Sequence, residues 1–283
     1  MIMKSKKAFT KKDLVTVLCC VVFLLISVGA IGNGGYERAR EQHKRAVCLN
    51  NLRQLTLAWI IYADENKDKL VNGAAGIGRK KDKVVVDKAW TGKDWADDYR
   101  EGQRLDPNEQ KEAIRAGTLW PYCKNLKIYH CPSGYRRDIR TYSIVDSMNG
   151  TPQPGNPMGR GPKEMMDKLI IKERMQIRRP HQRAVFIDVG WVTPGSFAVH
   201  YLKELWWDPA PVRHGDGTNV AFADGHTEYW KWKGKETIKL GRTRDRIYPC
   251  THFRPQSPEG KKDLHRLQEA VWGKLGYTPG VSD

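Results

Sequence analysis

The chain has no Cys-x-x-Cys pair, and only six cysteines among its 283 residues. That spacing is the usual sign of a structural zinc site, so its lack argues against one. No internal repeat is visible, which sets aside repeat architectures. No nucleophile with a companion base stands out, and this argues against hydrolytic chemistry. Acids are the minority charge, 32 against 49 lysines and arginines, a formal net charge of +17. Five lysines precede Asp13, but most of the excess is spread along the body. Such a field favours polyanions, whether nucleic acid, a sulfated or acidic polysaccharide, or an anionic membrane face.

One segment has no charge at all. "LVTVLCCVVFLLISVGAI", Leu14 to Ile31, is long enough to span a hydrocarbon core as a helix. Lysines at 4, 6, 7, 11 and 12 all precede it, so the positive-inside rule predicts a cytoplasmic N-terminus, a single pass over 9–31, and an extracytoplasmic or periplasmic body. A cleaved secretory signal competes, with Val28 and Ala30 as small residues near a cleavage point.

The leader "KKAFTKKDLV" resembles the prepilin type of N-terminus: a short basic stretch, a small residue, phenylalanine, threonine, two further residues, an acid, then an apolar helix. In type IV pilins and type II secretion pseudopilins the cut falls before the phenylalanine. The resemblance therefore implies a leader over 1–8, processing between Ala8 and Phe9 by a prepilin peptidase with methylation of the new terminus, and a pairing role for Asp13. Ala8 stands where glycine is usual, Asp13 replaces glutamate, and Lys11 with Lys12 replaces an apolar pair. Further on, "CLNNLRQL", "LWPYCKNLKIYHCPSG", "TYSIVDSMNG", "IRRPHQRAVFIDVG" and "RHGDGTNVAFADGH" follow one another as in pseudopilin-like proteins with an H-X9-DG (DUF1559-like) domain. His214, nine residues, then Asp224 and Gly225 meet that pattern literally. The implied role is a non-enzymatic structural or accessory subunit of a type II secretion or type IV pilus-like envelope assembly. Its partners would be the membrane, other pseudopilin-like subunits and the secretion machinery.

Periodicity adds an α+β fold. Leu49, Leu52, Leu55, Trp59 and Tyr62 recur at helical spacing and predict an amphipathic helix over 36–64, fading at Asp64 to Lys69. "GNGG", Gly32 to Gly35, predicts a bend before it. The body over 65–283 is expected to carry strands at "KVVVDKAW", "KIYHCP", "TYSIV" and "AVFIDVGW". A helix is expected near Pro107, loop insertions follow, and a C-terminal helix should carry Leu264, Leu267, Val271 and Leu275 and stop at Gly276. Together with the resemblance, this gives a long N-terminal helix packed pilin-like on an antiparallel sheet.

The densest polar stretch is the hairpin 212–232. Asp224-Gly225 between alternating runs predicts a two-residue type I′ turn, which accounts for both residues without chemistry. The functional alternative makes His214, Asp216, Asn219, Asp224 and His226 metal ligands. Histidine nitrogen with carboxylate suits zinc, carboxylates with Asn219 suit calcium, and the resemblance to pseudopilins, some of which bind calcium, makes calcium the candidate cofactor. Trp206 and Trp207, with Arg213 nearby, are the candidate stacking platform for a polyanionic ligand. Cys123 and Cys131 form a candidate disulfide, and Cys48 with Cys250 a weaker one. Two further functional classes therefore stand beside the assembly subunit: an envelope-binding module for acidic polysaccharide or DNA, and a metal-dependent envelope hydrolase.

Overall fold

A computed structural model describes residues 10–81, 84–99, 102–150, 168–242 and 252–280, without the side chains of 24–34, 80, 81 and 84–86. The chain divides into two compact units, Met1–His43 and Lys44–Asp283. Helix α1 (Lys11–Glu65) contributes to both.

Thr10 caps α1. Its side chain accepts from the Asp13 amide, while the Asp13 carboxylate accepts from the Thr10 amide at 2.9 Å and from its hydroxyl at 2.7 Å. Two backbone donors at the helix start are thereby satisfied reciprocally, and these bonds hold the Asp13 carboxyl below its ordinary pKa. The helix continues through Gly32 to Gly35, where a bend was expected. Among the described residues, no helix is long and apolar enough to cross a membrane. This overturns the transmembrane helix expected over 9–31, and with it the single-pass inner-membrane placement and the extracytoplasmic or periplasmic location of the body. The side chains of 24–34, and the leader residues Ala8 and Phe9, lie outside the described residues.

The second unit is built on a four-stranded antiparallel sheet in the order β3-β4-β5-β6, with a small hairpin of β1 (Arg79–Lys81) and β2 (Val84–Asp87) apart from it. Its strands are β3 (Tyr142–Ile144), β4 (Ala184–Asp188), β5 (Gly217–Phe222) and β6 (Thr227–Lys231). Every residue of β3, β4 and β5 is buried, so both faces are covered. From α1, Cys48, Leu52, Leu55, Trp59 and Ala63 join the core, whereas Leu49 and Tyr62 are only half-buried. The apolar stripe is thus rotated slightly from the predicted one.

Helix α2 (Pro107–Arg115) begins as expected, with Asp106 as cap, Pro107 in the first turn and Glu109 closing a capping box. The short α3 (Trp120–Cys123) follows. The strand expected at "KIYHCP" is instead a 3-10 turn, Leu126–Tyr129, because the Asn125 side chain accepts from the Lys127 amide and curls the backbone. Helix α4 (Lys235–Arg242) precedes α5 (Pro258–Trp272). The latter is capped by Ser257 and ends at Gly273, whose φ of 83° satisfies a left-handed cap three residues before the expected stop.

Candidate metal centre

Antiparallel register places a polar row across the middle of the sheet. Tyr142 pairs with Asp188, and Asn219 pairs with Tyr229. Asp188 and Asn219 are neighbours one step beyond the Ile187–Val220 pair. Since directly opposed residues share a face, these four side chains line one strip. The turn of α1 carrying Arg45 and Cys48 meets it: the Arg45 guanidinium lies 4.6 Å from the Tyr229 ring, and Tyr142 Oη donates to Cys48 Sγ at 3.3 Å.

Four metal-ligating groups converge there. The ligand atoms of Cys48, Cys131, Asp188 and His214 all lie within 4.8 Å of one another, and all four residues are buried. Cys48 Sγ is 3.2 Å from Asp188 Oδ2, Cys131 Sγ is 3.2 Å from His214 Nε2, and His214 Nε2 is 3.5 Å from Asp188 Oδ2. Each donor comes from a different element: α1, the loop after the 3-10 turn, the end of β4, and the turn before β5. Thr141 fixes the second, its hydroxyl accepting from the Cys131 amide at 2.7 Å.

His214 is held from behind. Its Nδ1 faces Ser133 Oγ at 3.4 Å, its carbonyl accepts from Tyr229 Oη at 2.9 Å, and its backbone is left-handed, with φ of 50° beside Gly215 at 90°. That conformation is uncommon for a residue with a Cβ and persists only where surroundings over-determine it. Burial works against a charged ring, but hydrogen bonds to Asp188 and Cys131 outweigh it and raise the His214 pKa to about 10. Burial pushes both thiols upward, Cys131 especially, since Cys48 also faces it. Among the described residues, Asp188 Oδ1 and Asn219 Oδ1 are buried acceptors with no hydrogen-bond partner.

Of the five ligands expected from the hairpin, only His214 contributes a ligand atom to this cluster. Asp224 and His226 pair with each other at 2.6 Å at the far end of β5, and Asp216 pairs with Arg242. Asn219 is buried beside the cluster, but its amide nitrogen reaches the Arg45 carbonyl at 3.5 Å. The H-X9-DG motif therefore marks two ends of one strand. At its tip only Gly225 takes positive φ, 93°, and Phe222 and His226 bracket a longer connection than the expected type I′ turn. The five residues expected to hold calcium are thus not gathered at one point, and the two thiols of the cluster that does form suit softer ions than calcium.

Cys123 and Cys131 are both free thiols: Cys123 Sγ lies 3.3 Å from Tyr129 Oη, while Cys131 faces His214. Cys48 is free as well, and Cys250 lies outside the described residues. Trp206 and Trp207 are core residues, packed on Trp232 and on His200 and His252 respectively, and do not form a surface platform. Arg213 donates to the carbonyls of Val212 and Val189 and lies over Trp191. No family model, curated protein or solved structure matches the chain.

Proposed function

We propose that the chain is a non-enzymatic, pseudopilin-like assembly subunit of the type II secretion or type IV pilus kind, in which the first part of α1 packs against the same segment of other copies. The observation that carries this reading is the apolar surface at Leu14, Val15, Val17, Leu18, Val21, Val22 and Phe23, each 45% exposed or more. From Leu14 to Phe23 only Thr16 is polar apart from the two cysteines, so this helix is apolar nearly all round. A helix of that kind is stable in water only when enclosed, and parallel helices of like subunits enclose it without further machinery. The prepilin-like leader supports the same reading, because cutting before Phe9 would release a helix for assembly. Asp13, already in a capping box with Thr10, could exchange that partner for a neighbour's terminal amine.

Cys19 and Cys20 are exposed in this segment and provide the test. Mild oxidation of the full chain should give covalent dimers and larger species, lost in a variant carrying both Cys19→Ser and Cys20→Ser. A chain whose Cys19 and Cys20 react with a small disulfide reagent, yet never link to one another between copies, would overturn the proposal.

A further inference from the structure

We infer that Cys48, Cys131, Asp188 and His214 form a closed zinc site that staples α1 to the sheet. The inference is independent of the assembly reading above. Four-coordinate zinc with bonds of about 2.0–2.3 Å has ligand-to-ligand edges of about 3.3–3.8 Å. The distances of 3.2, 3.2 and 3.5 Å already measured between pairs of these atoms, within an overall 4.8 Å, need only small adjustments to match.

The alternative is a buried hydrogen-bonded cluster and nothing more. It explains the same contacts poorly on three counts. First, a carboxylate, an imidazole and two thiols are gathered in a core where their side chains are closed off from solvent, and Asp188 Oδ1 is left without a partner. Buried polar groups are ordinarily matched, because each unmatched one costs free energy. Second, Nδ1 of His214 is turned to Ser133 while Nε2 is directed at the Cys131 sulfur and the Asp188 carboxylate, the division of labour seen in metal-bound histidines. Third, the chain accepts a left-handed backbone at His214 to achieve this.

Donor chemistry selects the ion. Two thiolates with one imidazole and one carboxylate suit zinc, and they disfavour calcium and magnesium, which take oxygen. Binding releases to solvent the two thiol protons and the extra proton that the metal-free His214 ring carries, so the metal meets two thiolates and a neutral imidazole. All four coordination positions come from buried protein groups, so no position is left for water or substrate. The site is structural, holding residues 48, 131, 188 and 214 together across the fold.

The test uses the full chain, expressed and kept reduced. Metal analysis of the purified protein should find one zinc per chain. Exchange for cobalt(II) should give the intense visible bands of four-coordinate cobalt and the near-ultraviolet absorption of thiolate-to-cobalt charge transfer. Asp188→Asn should weaken zinc binding roughly a hundredfold or more, beyond the 10–100-fold that loss of an outer partner costs. Should that variant fail to fold, the cobalt spectrum of the unaltered chain decides alone. A folded chain that takes up no stoichiometric metal, cobalt spectra without thiolate absorption, or a Cys48–Cys131 disulfide in the native protein would each overturn the inference.

Discussion

Asp208 shows how a single carboxyl couples the fold to pH. Its Oδ2 accepts from the Ala198 amide at 2.7 Å, yet burial, with the charge of Asp146 nearby, raises its pKa from the ordinary 3.8 to about 7. The folded chain therefore holds this proton more tightly than the unfolded chain does. Its contribution to stability is complete below about pH 4 and is lost as pH rises through about 7. Asp208→Asn keeps an acceptor for Ala198 and cannot ionise. It should flatten the pH dependence of the unfolding free energy between pH 4 and 7 and leave the variant the more stable at pH 8, by up to about 4 kcal/mol at about 1.4 kcal/mol per unit of pKa. Equal slopes for both proteins would contradict this. At the same scale, His214 was legible in the sequence and its partners were not. Cys48, Cys131 and Asp188 each stand in a motif visible on the page, "CLNNLRQL", "YHCPSG" and "AVFIDVG". A search for ligands close together in sequence pairs His214 with Asp216, Asp224 and His226 instead, and the missing Cys-x-x-Cys spacing hides a set whose members lie up to 166 positions apart, from Cys48 to His214. Only strand register could have joined them.

Among the elements, the hairpin of β5 and β6 separates two uses of glycine. At Gly217 an added Cβ would lie 1.9 Å from the Trp230 carbonyl oxygen, so backbone would have to move. At Gly225 the nearest atoms would be the Ile60 and Leu57 side chains at 3.6 and 3.9 Å, an ordinary contact, and only the positive φ of 93° objects. Urea unfolding should accordingly rank Gly217→Ala as the more damaging, at or above the upper end of the roughly 1–3 kcal/mol range for overpacking. Gly225→Ala should cost about 1–2 kcal/mol for left-handed strain. The reverse order would mean that the tip and not the close strand approach limits the hairpin. Strands β3 and β4 and helix α2 could be read from β-branched content and from the Asp106, Pro107 and Glu109 cap signals. The 3-10 turn at Leu126–Tyr129 could not, because one hydrogen bond from the Lys127 amide to Asn125 overrides the propensity of its neighbours. Helix α4 had no comparable signal: its eight residues hold three glycine or β-branched positions, Thr237, Ile238 and Gly241, and only tertiary contact buries Thr237.

For the molecule as a whole, the α+β class and the antiparallel sheet follow from the sequence, since alternating and helical apolar periods are local properties. What lies beyond local reach is which residues the register brings opposite one another, and what encloses the first part of α1. The uncharged run Leu14 to Ile31 reads as a membrane span, yet among the described residues no helix is long and apolar enough to be one. The assembly account rests on that segment. Sedimentation equilibrium of the full chain across a range of concentrations, beside a variant with Leu18→Lys and Val22→Lys, tests it most directly. The account predicts a multimeric mass for the unaltered chain and a monomeric mass for the variant, with the Lys44–Asp283 unit folded in both. A full chain that sediments as a monomer at every concentration, or a variant that assembles equally well, would contradict it.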